Sequence, residues 1–332
     1  MQSTCSESAS ARRSWRAIAA VALSALLSSC AFTDAPAFPR PELTLSQEER
    51  DAYALPGPVQ LLKIEPVGSG GTFVGDLACG PETVHFHLYE HQKKDAPLVL
   101  LVPILGGGEE LLRTMARRFV QRGYHALYCD RAGSALRPPQ RGPELEKLLV
   151  RTVLHQRIAL RWARNSEQVR PQSTFACGVS MGGIVTTLLT ALEPGLQGSA
   201  MCLAGADLPT ILGNSSEGRI QKWRDWRLAT DGISGSPLDQ ELRQSLRSDP
   251  LRFAPYVQTD RVFLVAAEFD EVVRPHHQDL LWEALGRPQR LSIPLGHYSA
   301  AICLDPLVSS IADFFDARQH DGSHLAVAAS AP

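Results

Sequence analysis

Ser173-Thr174-Phe175-Ala176-Cys177-Gly178-Val179-Ser180-Met181-Gly182-Gly183 decides the architecture. Residues 173–179 read as a strand and residues 181–192 as a helix, with Ser180 at the joint. A chain that turns sharply from strand into helix has no room for side chains two residues either side of the turn. Gly178 and Gly182 stand at those positions, with Gly183 beside them. The turn forces the central residue to an unusual backbone angle. In return, its hydroxyl projects above the sheet, where the first turn of the helix directs its free N–H groups.

Outward from this stretch the chain alternates apolar runs with amphipathic ones. The continuous apolar run 98–105 has the character of a strand buried on both faces. Residues 109–122 have helical spacing, with Leu111, Leu112, Met115, Phe119 and Val120 on one side. Strands are expected at 124–129, 200–205, 262–267 and 291–295, and helices at 145–164, 277–285 and 307–315. Residues 59–64 and 83–89 read as leading strands, and 84–88 alternates as an antiparallel edge strand does. The expectation is an α/β fold with a mostly parallel eight-stranded sheet and helices on both faces. Residues 207–256 break the rhythm with two amphipathic helices and no strand. Placed after the sixth strand, they form a helical cap over the carboxyl ends of the strands, where open α/β sheets bind ligands. The first cap helix carries Ile220, Trp223 and Trp226 among Arg219, Lys222, Arg224 and Arg227. Either the tryptophans pack the cap onto the body, or a basic aromatic face meets a membrane surface.

The Gly-x-Ser-x-Gly stretch in its strand-turn-helix setting resembles the nucleophile elbow of the α/β-hydrolase superfamily. The resemblance covers roughly residues 58–318, the cap least of all, and implies a serine hydrolase with Ser180 as nucleophile. It further implies a histidine after the last strand, and His297 in Leu295-Gly296-His297-Tyr298 fits. His276 and His277 begin a helix and read as solvated or capping, while His320 and His324 lie in the tail. The acid is expected shortly after strand 262–267, at Asp270, with Asp207 as the alternative and Glu268 and Glu271 read as surface charges. For the oxyanion hole the resemblance implies the backbone N–H of Met181 and one from the Gly106-Gly107-Gly108 loop. Members often carry a histidine before these glycines. This chain has Leu105, so Gly107 and Gly106 both stay open as the second donor. Asp130-Arg131-Ala132-Gly133-Ser134 is similar to a structural turn of the superfamily and is given no chemistry. The implied reaction is carboxylic ester hydrolysis through an acyl-enzyme. An acyltransferase, a peptidase and a non-catalytic binding lipoprotein are the alternatives.

Residues 1–29 read as a signal peptide. Arg12, Arg13 and Arg16 precede an apolar run, 17–27, that is far shorter than the roughly 20 residues of a membrane-crossing helix. Leu27-Ser28-Ser29-Cys30 resembles a bacterial lipobox, which implies lipidation of Cys30 and a membrane-anchored protein of the cell envelope, plain secretion being the alternative. Proline-rich residues 30–57 read as the tether, 58–318 as the domain and 319–332 as a disordered tail. Of the cysteines beyond Cys30, Cys129, Cys177 and Cys202 sit in apolar runs and read as buried small hydrophobes.

The 332 residues are 44% hydrophobic and 20% charged, with net charge −2, which gives no electrostatic case for nucleic acid. The glycines at 106–108 lack the spacing of a dinucleotide fingerprint. His85 and His87 share a strand face, but no third ligand is evident, so no metal and no cofactor are expected. The expected partner is a small or lipid-like acyl substrate.

Overall fold

The computed structural model describes residues 40–106, 108–232 and 235–319. The expected signal peptide (residues 1–29), Cys30, Gly107, His320 and His324 lie outside the described residues. Nine strands form one sheet: β1 (Val59–Pro66), β2 (Thr72–Cys79), β3 (Glu82–Tyr89), β4 (Leu98–Val102), β5 (His125–Cys129), β6 (Thr174–Val179), β7 (Gly198–Cys202), β8 (Val262–Ala267) and β9 (Gln289–Ile293). Their order is β1-β2-β3-β5-β4-β6-β7-β8-β9. β1, β2 and β3 pair antiparallel with their neighbours, and every pair from β5 to β9 is parallel. The described helices are α1 (Gln47–Tyr53), α2 (Glu109–Gln121), α3 (Gly142–Asn165), α4 (Met181–Leu192), α5 (Leu208–Asn214), α6 (Gly218–Asp231), α7 (Gly235–Ser245), α8 (Pro250–Phe253), α9 (Pro275–Ala284) and α10 (Leu304–Gln319).

The parallel strands are apolar because both of their faces are covered. Along β4, Val99 and Leu101 face Met115 and Phe119 of α2 and Phe315 of α10. Leu98, Leu100 and Val102 face Val153 and Ile158 of α3 and Val185 and Leu188 of α4. Burying each such side chain stabilises the fold by about 1.5–3 kcal/mol.

The architecture matches the expectation, with three corrections. The sheet has nine strands rather than eight, because β2 lies where none was expected. Gly75 and Asp76 interrupt its pattern, yet Gly75 is needed there. A Cβ at Gly75 would overlap the Lys63 carbonyl and the Phe86 ring on the flanking strands. The cap therefore follows the seventh strand, not the sixth, and it holds short helices α5 and α8 beside the two expected. Finally, residues 40–57 are not a tether. Ser46 caps α1 in a reciprocal capping box with Glu49. Tyr53 is buried, its hydroxyl 2.7 Å from Ser248 Oγ and its ring edge-on to Phe253. Arg157 donates to the Tyr53 carbonyl, and Arg40 Nε donates to Thr259 Oγ1 at 3.1 Å. Proline content suggested a linker, but Leu45 and Tyr53 bury enough apolar surface to dock the segment.

Candidate active site

Ser180 occupies the joint between β6 and α4 at φ 55° and ψ −123°, a backbone angle that non-glycine residues rarely adopt. Its N–H donates to the Cys202 carbonyl at 2.8 Å, which ties the turn to β7. A Cβ at Gly178 would overlap the Gly182 carbonyl, and one at Gly182 would overlap the Val102 carbonyl of β4. The two glycines therefore let three backbone segments close on one another beneath the serine.

His297 follows β9 in a loop braced by Phe269 N–H to the Leu295 carbonyl (3.0 Å) and Gly296 N–H to Ser299 Oγ (2.9 Å). Its Nδ1 lies 2.7 Å from Asp270 Oδ2 and its Nε2 lies 2.9 Å from Ser180 Oγ. An ionised carboxylate only accepts, so Nδ1 carries the proton. Nε2 is then left with its lone pair toward the serine hydroxyl. The Asp270 side chain is fully buried, and Oδ1 accepts from the N–H groups of Val272 and Val273, both at 2.8 Å. Buried Gln278 of α9 reaches Oδ2 at 3.4 Å and the Val273 carbonyl at 2.7 Å.

The structure thus brings Ser180, His297 and Asp270 into one hydrogen-bonded chain. Asp207 is elsewhere, paired with Arg243 at 3.0 Å, and Glu268 and Glu271 are exposed. His277 is buried rather than solvated, with Nδ1 3.0 Å from the Ala206 carbonyl, and burial lowers its pKa. His276 is exposed. Met181 is the first residue of α4, and Gly106 lines the cavity that Ser180 and His297 share.

Two apolar cavities meet at Ser180. One lies under the cap among Leu149, Ile184, Ile211 and Ile220. The other runs between His297, Tyr298, Met115 and Leu307. Leu105, Ser180 and Glu217 border both.

Three contributors were not read from the sequence. Gln278 shows no local signal, because its role depends on a fold that returns α9 to the β8 loop. Arg131 lies in the turn given no chemistry, yet its Nη1 donates to the Leu105 carbonyl at 2.6 Å. Arg219 of the cap donates to the same carbonyl at 3.0 Å. The basic helix α6 offers no continuous face to a membrane. Trp223 is buried with Nε1 on the Gln140 carbonyl, Arg227 is buried, and Arg224 is tied to the Gly213 carbonyl. All five described cysteines are free and buried. Away from the site, Asp130 joins His85 and His87, so three ligand-capable atoms lie within 4.8 Å, one more than the sequence suggested. Two of the three are already engaged with each other, His87 Nε2 with Asp130 at 3.2 Å, and His85 Nδ1 is bound to Asp76 at 2.6 Å.

No family model matches the chain. A stretch of 143 residues is 30% identical to an uncharacterised protein of Mycobacterium tuberculosis, and this covers 42% of this chain but only 32% of that protein. Another of 67 residues is 33% identical to the uncharacterised protein YdjC of Bacillus subtilis, covering 20% of this chain and 58% of YdjC. The chain therefore spans less than two thirds of the length of the curated relatives it matches. Among solved structures, Acetyl Xylan Esterase 1 of Thermoanaerobacterium superposes with a TM-score of 0.59 at 13% identity, over 80% of this chain and 92% of that one. Est1E of Butyrivibrio proteoclasticus gives 0.55 at 14% identity over 75% and 99%. A cold-adapted esterase from an Arctic intertidal metagenomic library gives 0.53 at 19% identity over 77% and 97%. At these identities the likeness is one of fold, and the fold is that of the α/β-hydrolases.

Proposed function

We propose that the chain is a serine hydrolase of carboxylic esters. The observation that carries this reading is the unbroken path from Asp270 through His297 to Ser180, at 2.7 and 2.9 Å, at the junction of two apolar cavities. The esterases of similar fold support it by analogy. His297 Nε2 takes the hydroxyl proton as Ser180 Oγ attacks the ester carbonyl, and buried Asp270 stabilises the imidazolium that forms. The carbonyl oxygen gains charge opposite the Met181 N–H at the start of α4, and Gly106 borders the same cavity; one such donor is worth about 3 kcal/mol. His297 then protonates the departing alkoxide, so the alcohol occupies the cavity that His297 and Tyr298 border. The acyl chain lies in the cavity under the cap. Water, activated by the same histidine, releases the acid from the acyl-enzyme.

An organophosphonate probe tests the reading. Ser180→Ala should abolish labelling and hydrolysis of p-nitrophenyl hexanoate together; labelling that survives the substitution removes Ser180 as the nucleophile. We further propose that residues 1–29 are a cleaved signal and that Cys30 carries lipid, anchoring the enzyme in a bacterial cell envelope. Cys30→Ala should move the protein from the membrane to the soluble fraction, and unchanged fractionation would rule out lipid as its sole attachment.

A further inference from the structure

His85 and His87 stand two residues apart on one face of β3, and the turn after β5 brings Asp130 to them. The Asp130 N–H donates to the His85 carbonyl at 2.9 Å, which fixes that turn against the strand. One ring nitrogen of each histidine and one carboxylate oxygen of Asp130 lie within 4.8 Å of one another. The two rings stand edge to face, with 5.2 Å between centroids and 89° between planes. Two imidazoles on one tetrahedral zinc, with each nitrogen about 2.0–2.1 Å from the metal, would have their centroids roughly 5 Å apart. The spacing of the two rings is already that of such a pair.

The ligands are also held from behind. Asp76, opposite His85 on β2, accepts from His85 Nδ1 at 2.6 Å. That bond keeps the proton on Nδ1 and leaves the lone pair on Nε2, as where a carboxylate orients a metal-binding histidine. Lys63 Nζ lies 3.3 Å from the other Asp76 oxygen, so Asp76 brings little net charge to the site. His87 is stacked on the Tyr128 ring at 4.5 Å and 14°, with its side chain 15% exposed. Its Nε2 lies 3.2 Å from Asp130 Oδ1, a long hydrogen bond that an ion bound by both would replace. Asp130 itself is exposed, which opens the cluster to solvent. Arg131, the next residue, is committed to the Leu105 carbonyl at 2.6 Å.

Two imidazoles and one carboxylate suit zinc, whereas calcium and magnesium take oxygen ligands. We propose that His85, His87 and Asp130 bind a zinc ion, with Asp76 orienting His85 and the fourth position open to water. The site lies at the end of β5, two strands from Ser180, and does not depend on the esterase reading.

Zinc titrated into the chelator-stripped full chain tests it. Calorimetry should show one zinc per chain with a Kd below about 10 µM, and the melting temperature should rise with zinc concentration. His85→Gln, His87→Gln and Asp130→Asn should each weaken binding by at least about tenfold, and Asp76→Asn, which keeps all three ligands, by about 10- to 100-fold. A merely structural role for these residues would lower the melting temperature of the zinc-free variants and leave zinc affinity in place. Cobalt substituted for zinc reports the donors, and its spectrum should carry no thiolate charge-transfer band. Replacing both tail histidines, His320→Gln with His324→Gln, should leave binding unchanged. Should the β3 variants fail to fold, that tail variant decides together with X-ray absorption of the zinc-loaded protein, where two imidazoles and no sulfur are expected. Zinc that binds more weakly than this, binds equally well without His85 or His87, takes sulfur ligands or is lost with the tail histidines overturns the site.

Discussion

Beneath Ser180 the chain is held by backbone packed on backbone; above it, the described residues of the cap add a charge network to an apolar seam. In the floor, Gly178, Gly182 and Gly183 leave no space that a methyl group could enter. In the cap, Arg227 lies buried between Asp231, at 2.6 Å, and Glu241, with its guanidinium over the Trp223 ring. Arg141, the N-cap of α3, binds Asp231 from the body at 2.6 Å, and the N–H of Gly142 donates to Glu241 at 3.1 Å. Buried Asp249 closes the cap by accepting from the N–H groups of Asp207, Leu208 and Leu251. Steric exclusion gives the Ser180 hydroxyl one fixed position. The cap combines an apolar seam, with Ile220, Trp223, Leu238 and Leu242 buried in it, with a network of partly buried charge. The floor should therefore be sensitive to volume and the cap to charge.

The largest effect is expected in the floor. Gly182→Ala adds one methyl that must displace the Val102 carbonyl, so we expect a loss of about 3 kcal/mol and ester hydrolysis near background. The same change in the cap, Gly213→Ala, meets nothing within 4 Å and should shift stability by less than about 1 kcal/mol. Thermal melts of the two variants decide, and equal melting points would break the contrast between the regions.

Charge is the matching test of the cap. Arg227→Met fills the space but strips Asp231 and Glu241 of their buried partner. Both carboxylates keep a contact to the body, so the expected cost is about 2 kcal/mol. Amide exchange should quicken across α6 and α7 while β4 and β6 stay protected. Uniform quickening through the sheet would show that the cap and floor are one cooperative unit rather than two.

The same divide separates what the sequence reveals from what it conceals. The floor was legible because its constraints are local. The glycines about Ser180 lie within three positions of it, and the strands buried on both faces appear as apolar runs. The resemblance to the α/β-hydrolases pointed to His297 after β9 and Asp270 after β8, and the two lie in one hydrogen-bonded path with Ser180. The cap interactions join residues far apart, Arg219 to Leu105 across 114 positions and Trp223 to Gln140 across 83, and no periodicity records such pairs. Strand β2 was hidden for a related reason. Gly75 looks like a strand breaker until Phe86 and Lys63 are seen on either side of it. Tyr53 likewise gives no sign, within a proline-rich segment, of the Ser248 hydroxyl that receives it.

The smallest effect expected is one of pH, at the joint of the two regions. His277 donates from Nδ1 to the Ala206 carbonyl and accepts the Ala206 N–H at its own carbonyl, 3.1 Å away, one residue before the cap begins. Among the described residues its buried Nε2 finds no hydrogen-bond partner. Burial, and then the neighbouring His276, lower its pKa below the ordinary value near 6.5. The unfolded chain therefore binds the proton more readily than the folded one. Stability from the neutral ring is fully present above about pH 6.5 and is lost as the pH falls toward the folded value. Protonation would put an N–H at Nε2 where nothing accepts it, so the loss should be about one hydrogen bond, roughly 1 kcal/mol. His125 and His155 are buried with lowered pKa values too, so a fall in the overall melting point does not identify the joint. His277→Asn does, because its amide can keep the bond to Ala206 and cannot titrate. Between pH 7 and pH 5 the unmutated protein should lose amide protection at the start of α5 and the asparagine variant should not. Equal loss in both would place the acid sensitivity elsewhere in the sheet and leave the joint indifferent to charge.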